Sequence, residues 1–216
     1  VTLELTGITV SFNSAPLEWW LSLPIIVIYP LLFGWVSYQT ATKLAEHKRR
    51  LQVMSTRDGM TGVYNRRHWE TMLRNEFDNC RRHNRDATLL IIDIDHFKSI
   101  NDTWGHDVGD EAIVALTRQL QITLRGSDVI GRFGGDEFAV IMSGTPAESA
   151  ITAMLRVHEG LNTLRLPNTP QVMLRISVGV APLNPQMSHY REWLKSADLA
   201  LYKAKKAGRN RTEVAA

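Results

Sequence analysis

The chain has 216 residues, of which 44% are hydrophobic and 22% are charged. This composition is typical of a folded protein and excludes both a disordered chain and a protein made of many membrane spans. The formal net charge of +3 is too small to indicate a nucleic-acid partner. The single cysteine, Cys80, excludes an internal disulfide and a cysteine-based zinc site.

The first residues predict the edge of a membrane region. The chain begins at Val1 rather than at methionine, which indicates a piece of a longer protein. Residues 1–6 alternate like a strand, and residues 13–16 have the composition of a loop. We expect residues 1–16 to be an extracytoplasmic loop or the end of a membrane domain that lies upstream.

Residues 17–40 predict a transmembrane helix. The stretch from Trp19 to Tyr38 carries no charge and matches the roughly 20 residues that cross a bilayer. Basic residues follow from Lys43 onward, which places the C-terminal side in the cytoplasm by the positive-inside rule. A cleaved signal peptide fits poorly, because its basic residues would precede the apolar run.

Residues 41–57 predict a polar linker helix that continues from the membrane. Leu44 and Leu51 are one heptad apart, which is a shorter seam than the ~3 heptads of a firm coiled-coil assignment. Two interpretations stay open for this segment. It is either a dimerising helix that carries a signal or a solvated connector.

The next segment predicts a turn followed by an amphipathic helix. Asp58 is suited to capping backbone donors, and Gly62 permits a turn. Residues 66–85 then have the helical period, with one apolar stripe that we expect to lie in the core. That stripe consists of Trp69, Met72, Leu73, Phe77 and Cys80.

A buried strand that ends in acidic residues follows. Residues 87–95 begin with a continuous apolar run, as in a strand covered on both faces. They end in Asp93 and Asp95, two positions apart and therefore on the same side of the strand. A carboxylate at the end of a buried strand is costly unless it is paired or bound to a metal. We therefore expect this strand end to supply half of a metal site.

Residues 96–110 are dense in polar groups and turn formers. Asn101 can both donate and accept hydrogen bonds, and we expect Asp110 to be a buried aspartate that accepts from an N–H edge of a ligand. Lys98 is suited to phosphate. Helix capping is the alternative for Asn101 and Asp110, because an apolar helix is predicted over residues 111–124.

Residues 129–142 predict a β-hairpin closed by Gly134 and Gly135. Asp136 and Glu137 follow the glycines directly, although acidic residues are depleted in strands. A metal ion beside a phosphate that lies across the bare turn explains this placement. An exposed hairpin tip, where Gly and Asp are common, explains it as well.

The remaining chain predicts a helix over residues 146–164, a strand over 172–181 and a helix over 193–206. Gly179 is expected where the strand is closely approached. The whole order predicts an α/β (α+β) fold of the ferredoxin-like, palm type, with an antiparallel-dominated sheet and helices on its faces.

The motifs together resemble one family. Gly134 to Phe138 reads Gly-Gly-Asp-Glu-Phe, the signature of the GGDEF diguanylate cyclases. Residues 56–67 resemble the motif that opens that domain, with Met60 and Val63 in place of leucines. Residues 93–110 and 197–210 resemble two further motifs of the family. The resemblance implies a GGDEF domain over residues 58–216.

The resemblance also implies a reaction and its cofactor. Two GTP molecules would be condensed into cyclic di-GMP, with release of two pyrophosphates, across a homodimer. Mg²⁺, with Mn²⁺ as an alternative, would be held by Asp93, the Ile94 carbonyl and Asp136. Glu137 would assist metal binding or deprotonate the ribose 3′-hydroxyl. The chain would act at the bacterial inner membrane, with its catalytic domain in the cytoplasm.

Substrate and product sites are implied in the same way. Asn101 and Asp110 would bind guanine, which offers complementary donors and an acceptor. The phosphates would lie against a further set of residues, namely Lys98, Gly134, Gly135, Lys205 and Arg209. Arg125 and Asp128 fit the family's Arg-x-x-Asp site for inhibition by cyclic di-GMP, and Arg156 is a candidate second arginine.

Three rival functions share parts of this pattern. A catalytically silent receptor would bind GTP or cyclic di-GMP and signal by contact, but the intact Asp136 and Glu137 argue against it. A membrane-tethered dimerisation module leaves the acidic cluster unexplained. A cyclase that makes cyclic GMP shares the chemistry and differs only in its product.

Overall fold

The computed structural model describes residues 2–5, 8–11, 27–44, 56–169 and 171–215. The chain divides into two compact units, Val1–Met54 and Ser55–Ala216. Each unit is described by itself below.

The first unit contains a hairpin and a helix. Strands β1 (Thr2–Leu5) and β2 (Ile8–Ser11) pair antiparallel, so the strand predicted at the N-terminus is confirmed and has a partner that the sequence did not indicate. Helix α1 covers residues 27–44. Among the described residues, no helix is both long enough and apolar enough to cross a membrane. Residues 17–26 of the predicted span lie outside the described residues, and the membrane helix stays a prediction.

The described residues cover only part of the predicted linker helix. Residues 41–44 are helical and residues 45–55 lie outside the described part of the chain. The prediction is wrong at its end, because residues 56 and 57 are not helical. Arg57 instead forms an isolated antiparallel bridge with Tyr64.

The second unit is built on a six-stranded sheet with the order β3-β5-β6-β4-β7-β8. Its strands are β3 (Tyr64–Asn65), β4 (Ala87–Ile94), β5 (Val129–Gly134), β6 (Glu137–Ser143), β7 (Ile176–Pro182) and β8 (Thr212–Val214). The four middle strands pair antiparallel, and the two short edge strands pair parallel with their neighbours. The predicted antiparallel-dominated sheet is therefore confirmed.

Five helices accompany the sheet in the described part of this unit. They are α2 (Arg66–His83), α3 (Phe97–Trp104), α4 (His106–Thr123), α5 (Ala147–Thr163) and α6 (Tyr190–Lys206). Strand β4 is buried along its whole length, and its side chains alternate between two cores. Leu90 and Ile92 pack with α4 and α5, while Leu89 and Ile91 pack with α2 and α6. The mixed α/β fold with helices on both faces follows from this alternation.

Several predicted boundaries change in ways that matter for the site. Helix α4 begins at His106 after Gly105, so Asp110 lies inside the helix and the helix-capping alternative for it is wrong. Helix α3 lies within the stretch of polar groups and turn formers for which no helix was predicted. The close approach predicted at Gly179 is confirmed, because a Cβ there would lie 2.2 Å from the carbonyl oxygen of Ala197 on α6.

Candidate active site

The carboxylates predicted to form a metal site lie at one end of the two central strands. Asp93 on β4 is paired in register with Glu137 on β6. The next residue on β4, Ile94, donates its N–H to the carbonyl oxygen of Asp136 over 3.4 Å. Sheet pairing therefore brings together residues more than forty positions apart in sequence, namely Asp93, Ile94, Asp136 and Glu137.

Asp93 is the most buried of these carboxylates and has a cation beside it. The residue is 8% exposed, and Oδ2 of Asp93 lies 2.8 Å from Nζ of Lys205 on α6. Burial raises the pKa of Asp93, the hydrogen bond and charge of Lys205 lower it, and the charges of Asp136 and Glu137 raise it again. The net shift of the Asp93 pKa is upward, because burial and the neighbouring carboxylates disfavour its charged form.

The donor set fits a hard divalent cation. Carboxylate oxygens and a backbone carbonyl are ligands that Mg²⁺ takes, usually together with water and substrate phosphates. Lys205 already holds a positive charge against Asp93. Within the described ranges, no three His, Cys, Asp or Glu side chains converge closely enough to hold a metal by themselves. Water and substrate phosphates would supply the remaining oxygen ligands of a metal at this site.

The turn between β5 and β6 is fixed by an arginine that the sequence analysis did not single out. Gly135 has φ of 50°, which favours glycine. Arg132 donates to the Gly135 carbonyl oxygen from Nε and Nη2, over 3.1 and 2.8 Å. Its Nη1 also donates to Oδ1 of Asp58 over 3.1 Å. A charged residue within a strand, two positions before the glycines, was the available signal.

Asp58 joins the start of the domain to this turn. Its Oδ1 accepts from the backbone N–H and the hydroxyl of Thr61, over 3.0 and 2.6 Å, so the predicted capping role is confirmed. Burial raises the pKa of Asp58, but the hydrogen bonds from Thr61 and Arg132 outweigh burial and leave the pKa lowered. Asp58 is thus connected to the Gly135 carbonyl through the side chain of Arg132.

Asp95 has a different role from its neighbour Asp93. It is 5% exposed, and its carboxylate accepts from the Ser177 hydroxyl over 2.7 Å and from the Asn210 N–H over 2.8 Å. The expectation that the whole Asp93–Asp95 strand end belongs to the metal site is therefore corrected. Asp95 is satisfied by hydrogen bonds and holds the chain after α6 against the sheet.

The turn held by Asp95 carries Arg209, which was predicted to bind substrate phosphate together with Lys205. Gly208, Arg209 and Asn210 have φ of 109°, 60° and 46°, a run of left-handed residues that is unfavourable for Arg209 and Asn210. The turn is stabilised by the Asp95–Asn210 bond and by Arg211, whose carbonyl accepts from Val178 N–H over 2.9 Å. Arg209 is exposed there.

The residues predicted to bind guanine lie where α3 meets α4. Oδ1 of Asn101 is buried and has no hydrogen-bond partner, and it packs so closely on Gly109 that a Cβ there would lie 1.9 Å away. This oxygen is an acceptor available to a ligand donor. Asp110 follows Gly109 but is exposed, so the expectation of a buried aspartate is wrong. Lys98 is exposed on the first turn of α3.

The three residues predicted to bind inhibitory product border one cavity of about 140 Å³. Arg125 and Asp128 lie on the α4–β5 connection, and Arg156 lies on α5. Oδ2 of Asp128 accepts from the Arg125 N–H over 2.9 Å, while its buried Oδ1 has no partner. Burial raises the pKa of Asp128, and the Arg125 backbone bond and charge lower it less.

Comparison with known proteins identifies the class that this fold and site define. Residues 55–211 match the family model described as "Diguanylate cyclase, GGDEF domain". The chain therefore belongs to the GGDEF-domain diguanylate cyclase family.

Relatives and solved structures agree with this membership. Diguanylate cyclase DosC of Escherichia coli (strain K12) is 35% identical over 159 residues, which are 73% of this chain and 34% of DosC. This chain thus spans about a third of that relative's length. The GGDEF domain of DgcB from Caulobacter crescentus, solved in complex with c-di-GMP, is 30% identical with a TM-score of 0.71, covering 74% of this chain and 96% of DgcB's.

A further relative was solved in complex with a protein partner. Diguanylate cyclase SiaD from Pseudomonas aeruginosa, in complex with its activator SiaC, is 32% identical with a TM-score of 0.71. The match covers 92% of this chain and 78% of SiaD's.

Proposed function

We propose that the chain is a diguanylate cyclase that condenses two GTP molecules into cyclic di-GMP and two pyrophosphates. The observation that carries this proposal is the pairing of buried Asp93 with Glu137 across β4 and β6, beside the glycine turn and Lys205. Family membership and relatives named as diguanylate cyclases support it. The glycine turn leaves room for a substrate phosphate against the backbone. The carboxylates beside it would hold the metal ion that offsets the charge of that phosphate.

Asp93, the Ile94 carbonyl and Asp136 are the groups that would hold Mg²⁺ or Mn²⁺. A bound divalent ion would neutralise charge on the α-phosphate and lower the pKa of the ribose 3′-hydroxyl. Asp93 is suited to this position because burial and two neighbouring carboxylates disfavour its bare charge. Glu137 is more exposed than Asp93 and assists in holding the ion or accepts the proton of the 3′-hydroxyl.

The bond changes follow from this arrangement. The 3′-oxygen of one GTP forms a bond to the α-phosphorus of the second, the α–β bridging bond breaks, and pyrophosphate leaves. The hydroxyl proton passes to solvent, either directly or through Glu137 where that carboxylate accepts it. The 3′-oxygen of the second GTP then bonds to the α-phosphorus of the first, a second pyrophosphate leaves, and the ring closes. Lys205 and Arg209 offset the charge of the leaving phosphates, and Gly134 and Gly135 leave room for them.

Selectivity for guanine rests on the α3–α4 junction. The unpaired Oδ1 of Asn101 accepts from the guanine N1–H or 2-amino group. Asp110 directly follows Gly109, on which Asn101 packs, and accepts a second donor. Lys98, at the start of α3, contributes positive charge toward phosphate. Adenine lacks these donors and would leave the buried acceptor unpaired, which is costly.

The reaction takes two subunits, because the α3–α4 junction is the one substrate guanine site found in the described part of the domain. Each chain of a homodimer therefore presents one GTP to the other. The predicted linker helix and membrane span would promote this pairing at the bacterial inner membrane, with the catalytic domain in the cytoplasm. The SiaD–SiaC complex supports control of such an enzyme by a protein partner.

Product inhibition is proposed for the cavity bordered by Arg125, Asp128 and Arg156. The guanidinium forks suit phosphate and stack on guanine, and the unpaired Oδ1 of Asp128 accepts from a base N–H. The DgcB structure in complex with c-di-GMP supports binding of the product to this class of domain.

Chromatography of the products formed from radiolabelled GTP and Mg²⁺ tests the function. Parent protein should form cyclic di-GMP, and a Glu137→Gln variant should form none. Formation of cyclic GMP would assign a mononucleotide cyclase instead. Binding of GTP or cyclic di-GMP without any product, even after the chains are cross-linked as dimers, would assign a receptor.

A further inference from the structure

A second positively charged cavity lies between α2 and the start of α6, apart from the sites described above. Its volume is about 440 Å³, within the range of small-ligand pockets, which is roughly 300–1,000 Å³. Its lining has four arginines and one carboxylate. The lining residues are Arg66, Arg67, Glu70, Thr71, Arg74, Tyr190 and Arg191.

The single carboxylate is already engaged by a buried tyrosine. Tyr190 is 3% exposed, and its hydroxyl donates to Oε1 of Glu70 over 3.1 Å. The same hydroxyl accepts from Nη2 of Arg74 over 3.4 Å. This bond raises the pKa of Arg74. The floor of the cavity is therefore held in place by hydrogen bonds.

Three of the arginines make cation–π contacts with aromatic rings. The guanidinium carbons of Arg74 and Arg191 lie 5.2 and 5.9 Å from the Tyr190 ring centroid. The guanidinium of Arg66 lies 5.0 Å from the ring of Phe133. No ion pair of Arg66, Arg67 or Arg191 occurs among the residues that the structure describes. Stacking orients these guanidiniums and leaves their N–H groups available.

Four guanidiniums around one cavity repel one another and remain charged at any physiological pH. An anion bound among them relieves this repulsion and takes up the free N–H donors. The arginines on α2 extend from Arg66 to Arg74, which is about 12 Å along a helix. A chain of two or three linked phosphates offers more oxygen acceptors to these spread donors than a single phosphate group does.

We propose that this cavity binds a small soluble polyphosphate, either pyrophosphate or the phosphate chain of a nucleotide. Arg67 and Arg191 grip the phosphates from opposite sides, and Thr71 and Tyr190 line the floor between them. This binding site is independent of whether the chain makes cyclic di-GMP.

Pyrophosphate binding, measured by equilibrium dialysis in EDTA, tests the proposal. The whole chain is used with Lys205→Ala and Arg125→Ala, so that two other phosphate-binding regions are weakened. Adding Arg67→Ala and Arg191→Ala should weaken binding by about tenfold for each arginine lost, since a charged hydrogen bond is worth about that much. Arg82→Ala and Arg118→Ala make the same charge change elsewhere and should leave binding unchanged.

Two further measurements keep the result decisive. Hydrogen exchange of residues 66–74 should slow when pyrophosphate is added, and thermal unfolding checks that all variants fold. Equal affinity in the pocket and control variants would overturn the proposal. Binding only to anionic lipid vesicles, with no affinity for pyrophosphate, would overturn it as well.

Discussion

Nζ of Lys205 lies 2.8 Å from Oδ2 of Asp93, so a residue predicted to bind substrate phosphate is paired with the carboxylate predicted to bind metal. This contact joins the last turn of α6 to the end of β4. Lys205 reduces the cost of burying Asp93 beside Asp136 and Glu137. A bound metal would take over that role and leave the ammonium group available for phosphate.

Replacement of Lys205 by methionine is expected to destabilise the domain by about 1–3 kcal/mol, because a buried carboxylate loses its charged partner. Mg²⁺ should restore more stability to this variant than to the parent, since Asp93 then has no competing cation. Thermal unfolding with and without Mg²⁺ measures both effects. Lys203→Met, on the exposed side of the same helix, is the control. Equal responses of the two variants to Mg²⁺ would contradict this role for Lys205.

Asp95 is expected to position Arg209 through the Asn210 turn. Asp95→Ala leaves the Ser177 hydroxyl and the Asn210 N–H without their acceptor, at a cost of about 3 kcal/mol for two charge-assisted bonds. Released from this bond, the left-handed turn relaxes and the KM for GTP should rise more than kcat falls. Ser177→Ala removes only one bond and should change the KM little. A change in stability with an unaltered KM would leave Asp95 with a structural role only.

His158 predicts a pH dependence of stability. Burial lowers its pKa, and a hydrogen bond with Asn210 and the charge of Asp95 oppose this less strongly. The unfolded chain therefore binds the proton more readily, and stability should fall as the pH drops below the ordinary value of 6.5. Urea unfolding between pH 8 and pH 5 should show a smaller decline in His158→Gln than in the parent. Parallel declines would exclude this contribution.

Gly179 is expected to be the least replaceable glycine of the sheet. A methyl group there would lie 2.2 Å from the Ala197 carbonyl oxygen and 2.3 Å from the Leu201 nitrogen. Since backbone of α6 must move, Gly179→Ala should cost about 3 kcal/mol. Gly126→Ala meets nothing within 4 Å and should change stability by at most about 0.5 kcal/mol. Denaturant unfolding of the pair checks the difference, and similar values for both would be inconsistent with the packing.

Periodicity was sufficient to predict the elements that bury apolar side chains. Strand β4 is a continuous apolar run, and α2 carries an apolar stripe every three or four residues, so both were expected from sequence. Strands β3 and β8 are two and three residues long and too short to show a period. Helix α3 was missed because none of its residues is buried and its polar residues are typical of loops.

Sequence motifs were sufficient to locate the carboxylates predicted to bind metal, but not the hydrogen bonds that hold the surrounding turns in place. Asp93 and Glu137 were predicted as neighbours, and the register of β4 and β6 shows them paired. The contacts of Arg132 with Asp58 and Gly135, and of Asp95 with Asn210, depend on long-range packing that no local pattern encodes. Asp110 was expected to be a buried acceptor, but it is exposed within α4.

The homodimeric reaction is tested most directly by mixing parent chains with the Glu137→Gln variant at constant total protein, after the subunits have exchanged. In the proposed reaction cyclic di-GMP needs both active sites of a dimer, so an equal mixture should form it at about one quarter of the parent rate. A rate of about one half would mean that each chain works alone and would contradict the reaction between two subunits.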